Sequence, residues 1–201
     1  MLALFDQALV HKVKETVIGN SSSVSSQIAR ELRALKEDSN LYRFGCELSR
    51  GVGIIHFGCE LSPSQFLHSF LTNLCPTVCP AFVSRVIPID IVCAPNVSSF
   101  TSVCIPLIGK KFAEYSGDRT WKLVFEKHAL TNLDKELVLS LIHEVIPERH
   151  EASITSPDVV VMVQTFQTTC GVGFLEDFEI LEEYNIRKLI FKNSKISNDD
   201  S

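Results

Sequence analysis

Cysteine and histidine have the widest chemical reach of the side chains in this sequence, seven and six of them, and their spacing decides what they can do. The one close pair, Cys75-Pro76-Thr77-Val78-Cys79, holds three residues between its thiols. Structural zinc takes two tight knuckles, usually with about two residues between ligands. Cys46 and Cys59 do not supply the second knuckle, and no histidine pair stands nearby. These read as loop and core cysteines, and no metal is expected. A cysteine nucleophile needs a positioned base. Cys170 precedes a glycine, with His128, His143 and His150 elsewhere in the chain. Strand signals on both sides place Cys170 on an apolar face, where a thiol packs rather than reacts, and His143 reads as a polar-face or half-buried helix residue. Cys93 and Cys104 also lie among apolar neighbours, and the odd, irregular cysteine set argues against a secreted disulfide framework. The sequence holds no GxGxxG, no GxxxxGK[ST] and no H-x-E with P-C-x-x-C, so the cofactor loops and the zinc-deaminase centre are absent. No catalytic residue, metal or cofactor is expected.

Phosphate is the other chemistry within reach. Lys110, Lys111, Arg119, Lys122, Lys127 and His128 cluster at predicted element ends, with Phe112, Tyr115 and Trp121 interleaved. Basic side chains hold phosphates, and aromatic or imidazole rings stack exposed bases. Glu114, Asp118 and Glu126 intervene, so a solvated mixed-charge face competes with this reading. Arg85 stands apart, inside an apolar strand, as a further RNA contact or an interface arginine. The net charge is −5, but residues 151–201 alone carry nine acidic and four basic side chains. The acidic excess therefore lies in the last quarter, chiefly Glu176, Asp177, Glu179, Glu182 and Glu183. RNA binding needs a local basic face rather than a basic total.

The elements that must position these groups follow from periodicity. Residues 3–17 and 22–37 read as helices. Tyr42–Cys46 and Val52–Phe57 read as paired strands around Ser49-Arg50-Gly51. Ser62-Pro63-Ser64-Gln65 is a capping box with proline at the first helical position. Its helix is expected to bury Phe66, Leu67, Phe70, Leu71 and Leu74 and to stop before Pro76. Phe82–Val92 reads as a strand. Phe100, Cys104, Leu107, Ile108 and Phe112 have helical spacing, with a kink or a helix start at Pro106. Trp121–Phe125 is a strand, and Thr131 is expected to cap a helix that ends at Pro147. Val159-Val160-Val161-Met162-Val163, bounded by Pro157 and Gly171, predicts a strand buried on both faces; Gly171 and Gly173 mark a bend or close backbone approach. Phe44–Ser49 recurs identically as Phe57–Ser62, a local duplication too short for a solenoid repeat. The polar end, residues 192–201, predicts a disordered tail. No apolar run approaches the ~20 residues of a membrane span. Met1–Asp6 lacks the basic flank of a secretory signal, so a soluble intracellular protein is expected.

Four collinear pieces carry a resemblance. Ser156-Pro157-Asp158, the apolar strand and Cys170-Gly171 with its second strand form a hairpin that resembles the C-terminal hairpin of the THUMP domain. Arg85-Val86-Ile87-Pro88-Ile89 with Cys93-Ala94 is similar to that family's strand motif. Arg43-Phe44, Gly53-Ile54-Ile55 and Pro63 are similar to its Gly-rich turn, strand and Pro-initiated helix, and Tyr184-Asn185-Ile186 to its closing segment. Where the family tends to carry a lysine before the hairpin, this chain has Glu151.

The resemblance, nearest to the stand-alone type of THUMP protein, implies an α+β fold. A ferredoxin-like N-terminal unit, its first strand missing or divergent, occupies residues 1–94, with a THUMP α/β domain over 95–191. With both halves accounted for, no room remains for a catalytic domain. It further implies a non-catalytic adaptor that grips tRNA by its body and 3′ acceptor end and presents it to a separate RNA cytidine acetyltransferase, in the nucleus or nucleolus. The alternative is an interaction module that kept the fold and has little RNA affinity.

Overall fold

The structure, a computed structural model, describes residues 2–5, 42–49, 51–57, 62–74 and 83–199. Its fold is α+β, built on a four-stranded sheet of order Tyr42–Ser49 (β2), Val52–Phe57 (β3), Leu2–Phe5 (β1), Ile87–Ile89 (β4) and a five-stranded sheet of order Ile91–Cys93 (β5), Cys170–Glu176 (β9), Val159–Thr165 (β8), Thr120–Lys127 (β6), Glu151–Ala152 (β7). In the first sheet, β1 (Leu2–Phe5) pairs antiparallel with both β3 (Val52–Phe57) and β4 (Ile87–Ile89), and β2 (Tyr42–Ser49) pairs with β3. The strand missing from the sequence reading is therefore β1. Leu2-Ala3-Leu4-Phe5 is too short to show a period, and its apolar run fits a central strand better than the helix expected over residues 3–17. The rest of that helix, and the one over 22–37, fall outside the described residues.

The β2–β3 turn runs through Gly51, whose φ of 80° is costly for any residue with a Cβ. Helix α1 (Pro63–Thr72) starts as its capping box requires, with the Gln65 amide donating to Ser62 Oγ at 3.2 Å. It buries Leu67 and Leu71. Phe70, expected in the core, is 47% exposed and stacks on Phe66 instead.

The expected strand over 82–92 is broken at Asp90. Ile87–Ile89 belongs to the first sheet, while β5 (Ile91–Cys93) joins the second. The chain thus changes sheets at Asp90, ahead of the boundary expected at Ala94-Pro95-Asn96, and Asn96 acts as a helix cap, its Oδ1 accepting from Ser99 N at 2.9 Å. The Asp90 carboxylate accepts from Ser64 N at 3.1 Å, from Ser64 Oγ and from Phe174 N at 3.2 Å, which joins the start of α1 to the second sheet.

After one turn of α-helix at Val97–Ser99 the chain is π-helical over Phe100–Cys104, then enters α2 (Ile105–Glu114) with Pro106 in its first turn. Because the chain is already helical ahead of it, Pro106 removes a backbone donor where the π turn passes into α2. Phe100, Cys104, Ile108 and Phe112 point inward, whereas Leu107 is 44% exposed. β6 (Thr120–Lys127) leads to α3 (Lys135–Val145), then to the short β7 (Glu151–Ala152) and to β8 (Val159–Thr165), which lies parallel to β6. Asp134, not Thr131, caps α3, accepting from Leu137 N at 2.9 Å. Thr131 stays in the loop, where its carbonyl receives Lys127.

Every residue of β8 is buried, and the alternation explains why. Val159, Val161 and Val163 enter a core with α2 and α3, while Val160 and Met162 enter a second core with α1, β3 and β4. β8 pairs antiparallel with β9 (Cys170–Glu176) as the hairpin predicts. Gly173 is the close-approach glycine, since a Cβ there would lie 2.0 Å from the Pro88 carbonyl oxygen. The Asp of Ser-Pro-Asp is a staple: Asp158 Oδ2 accepts from Thr120 N at 2.7 Å, and Asp158 N donates to Thr120 Oγ1 at 2.9 Å. It fixes the start of β8 against the start of β6.

Helix α4 (Ile186–Asp199) closes the molecule and continues past Lys192, where composition predicts a disordered tail. Lys192 is tied down, its Nζ 2.8 Å from Glu182 Oε1 and 3.3 Å from the Ile180 carbonyl. Among the described residues no helix is long and apolar enough to cross a membrane.

Candidate nucleic-acid interface

The basic residues picked out by sequence do not form one cluster. They divide between the two ends of β6, which stand roughly 25 Å apart at ~3.3 Å per residue.

At the entry of β6 lie Lys110, Lys111 and Arg119. Lys110 projects from α2 with its side chain 72% exposed, 3.9 Å from Glu114, a surface pair of little energetic weight. Lys111 Nζ and Arg119 Cζ each stand 5.6 Å from the centre of the Tyr115 ring, a range in which a cation is drawn to an aromatic face. The ring is held from below: Phe112 meets it edge-on, and Phe112 also meets His150. His150 is buried and fully engaged, its Nδ1 accepting from Arg119 N at 3.1 Å. Its other nitrogen, Nε2, therefore carries the proton and donates to the Phe112 carbonyl at 3.0 Å. This uses both ring nitrogens and leaves His150 unsuited to act as a base for Cys170. Arg149, which sequence reasoning passed over, caps the end of α2, donating to the Tyr115 carbonyl at 2.8 Å and to that of Ala113 at 3.3 Å.

Beside Lys111 and Tyr115 opens a cleft of about 140 Å³, lined also by Ser64, Gln65 and His68 of α1 and by Phe174 and Glu176 of β9. Burial, and then the nearby Glu176 charge, push the Tyr115 hydroxyl well above the usual phenol range, so it stays protonated and able to donate. His68 reaches Asp177 at 2.8 Å. Ser64, Gln65 and His68 carry no sequence signal for this role; the capping box describes their helix start but not the end of α2 that it faces.

The exit of β6 has another character. Arg85 Nη1 donates to Glu126 Oε1 at 2.8 Å and its Nε to the Glu183 carbonyl at 3.0 Å. Residues 182–184 all have left-handed φ between 52° and 61°, which costs ~1–2 kcal/mol per residue with a Cβ. Arg85 clamps that turn, aided by Val86 N donating to the Tyr184 carbonyl. Lys127 Nζ donates to the carbonyls of Thr131 and Leu133 at 3.0 and 3.2 Å. His128 stacks on Phe166 with ring centres 4.7 Å apart and lies 3.7 Å from Glu126. Arg85, Lys127 and His128 thus serve the fold's own connections. Between the ends, Lys122 alternates with the buried Trp121 and Leu123 and is half-exposed. Lys110, Lys111, Arg119 and Lys122 are the predicted residues best placed for an outside ligand. Among the described residues, no three of His, Cys, Asp or Glu are arranged to hold a metal ion.

No family model and no curated protein matches this sequence. Solved structures do match its shape. PH1313 from Pyrococcus horikoshii Ot3 is similar at a TM-score of 0.52 and 11% identity over 87% of this chain and 55% of that one. A 4-thiouridine synthetase in complex with RNA and ATP matches at a TM-score of 0.47 and 10% identity, covering 87% and 41%. TrmN from Thermus thermophilus matches at 0.44 and 7%, covering 87% and 45%. The chain spans about half the length of the solved proteins it matches. The fold class is the expected one, α+β, with a ferredoxin-like unit leading into a mixed-sheet α/β unit.

Proposed function

We propose that this chain is a non-catalytic tRNA-binding adaptor that presents tRNA to a separate RNA cytidine N4-acetyltransferase, in the nucleus or nucleolus. The observation that carries the reading is the rim at the entry of β6. Lys111 and Arg119 flank the Tyr115 ring there, with the exposed Lys110 beside them, next to a cleft that opens on α1. Cations beside a fixed aromatic ring suit a phosphate-linked chain of bases, and the rim sits on the fold that the collinear THUMP-like motifs imply. The adaptor supplies no chemistry. It raises the effective concentration of one partner for the other, so that modification becomes nearly intramolecular. A gel-shift titration with tRNA at two salt concentrations, with and without the 3′-CCA end, tests the binding step; no salt-dependent shift with either RNA would remove the reading.

A second reading, a protein-interaction module with little RNA affinity, is favoured by a separate observation. Arg85, Lys127 and His128 are spent on internal contacts, and Glu183 of the acidic stretch 176–183 meets Arg85 through its carbonyl. Failure of the wild type to bind tRNA while retaining its fold would select it.

A further inference from the structure

We propose that Cys93 and Cys104 form a peroxide-modifiable thiol site in which Cys93 is the attacking sulfur and Cys104 the resolving one. It is independent of any RNA binding. Three cysteines distant in sequence meet where β5 ends. Cys93 stands opposite Cys170 in the β5–β9 register, and Cys104 Sγ lies 3.4 Å from Cys93 Sγ. All three are free thiols. Cys104 and Cys170 are fully buried, whereas Cys93 is half-buried and lies on an edge strand. An oxidant from solvent therefore meets Cys93 first.

The neighbours prepare that sulfur. Cys104 directs its S–H at Cys93, and Cys104 and then Cys170 hold the Cys93 thiol below the ordinary thiol range, against the opposing effect of burial. Their own contacts with Cys93, and then burial, push Cys104 and Cys170 upward. Cys93, lowered while its neighbours are raised and the one of the three that solvent reaches, is the sulfur placed to attack as thiolate, the nucleophilic form. It attacks one oxygen of hydrogen peroxide: the S–O bond forms, the O–O bond breaks, and hydroxide leaves and is protonated to water. Cys104 then attacks the Cys93 sulfur, its proton passing to the departing hydroxide. The S–S bond forms, the S–O bond breaks, and hydroxide leaves and takes up a proton as a second water. Two thiols lose two electrons and one peroxide becomes two waters.

Cys104 resolves in preference to Cys170 because of where each sits. Closing 3.4 Å to a bond of about 2.05 Å needs movement on one side. Cys170 lies in β9, paired on both edges by β5 and β8. Cys104 lies in the π-helical turn, an irregular segment of the kind often found at functional sites.

The test is peroxide titration of the full chain, followed by alkylation and peptide mass spectrometry, with exposed Cys46 as internal standard. The expected product is a Cys93–Cys104 cross-linked peptide lighter by two hydrogens. Iodoacetamide should label Cys93 roughly tenfold faster than Cys46 at about pH 6. Cys93→Ser should abolish the cross-link and leave Cys104 reduced. Cys104→Ser, with Cys104→Ala as a second variant should the buried hydroxyl impair folding, should leave a sulfenic acid at Cys93 that dimedone traps. Oxidation of Cys104 at an unchanged rate in Cys93→Ser, a Cys93–Cys170 cross-link in the wild type, or labelling of Cys93 no faster than Cys46 would each overturn the proposal.

Discussion

Lys111 and Arg85 look alike in sequence, each a cation beside apolar residues, and the structure gives them opposite uses. Lys111 faces an aromatic ring at the rim of a cleft, while Arg85 clamps a left-handed turn. Replacing Lys110 and Lys111 together by alanine should weaken tRNA binding and flatten its log–log salt slope by about 0.7–0.9 for each phosphate that is no longer neutralised. Trimming the 3′ end should act separately. Binding isotherms across a salt series decide it, and unchanged affinity and slope would make the rim a solvated face. Arg85→Ala should instead lower stability by about 1–2 kcal/mol, since it leaves Glu126 and the Glu183 carbonyl without their charged donor, while tRNA affinity of the folded protein holds. Urea denaturation and binding measured on the same sample separate the two. Asp158 sets a pH signature. Its hydrogen bonds from Thr120, the backbone amide foremost, depress its pKa. Its contribution is present above the unfolded carboxylate value near 4 and falls away as pH drops through the lower folded value. Asp158→Ala should therefore destabilise the protein at neutral pH, and the gap from wild type should close below about pH 4 in acid-dependent denaturation.

At the scale of elements, the patterns that could be read were those with their own chemistry. The capping box fixed the start of α1, and the unbroken apolar run of β8 fixed a doubly buried strand with its hairpin partner. What could not be read depended on distant neighbours. β1 is four residues long and becomes a strand because β3 and β4 flank it. The break at Asp90 exists because Ser64 and Phe174 N converge on its carboxylate. At the site, the basic residues were legible by type, but their division between the ends of β6 came from packing that no local spacing encodes. Gly173 gives a sharp test of the crossing between the sheets. Gly173→Ala places a Cβ against the Pro88 backbone and should cost roughly 3 kcal/mol or more. Gly117→Ala, with nothing within 4 Å of its Cβ, should change stability by less than about 0.5 kcal/mol. Thermal melts of the two variants read the contrast directly.

On the scale of the whole molecule, the proposed adaptor role asks for a rigid body with a ligand rim, and the two cores supply rigidity from both sides of one sheet. Val160, Met162 and Leu175 pack against residues of the first unit, and Val159, Val161 and Val163 against α2 and α3. Equilibrium unfolding followed by circular dichroism and by Trp121 fluorescence should therefore give coincident single transitions. Transitions that separate would show that the halves melt apart.

The change of sheet at Asp90 has a practical consequence for anyone dissecting the chain. A fragment starting at residue 95 looks like a tidy module on paper. It would lose the edge strand beside β9 and expose Val160, Met162 and Leu175, which face the first unit. Such a fragment presents an open strand edge together with a bare apolar surface, the combination that drives sheets to pair with one another. Expressed alone, it should self-associate and precipitate, whereas the chain carried from its first strand should stay dispersed.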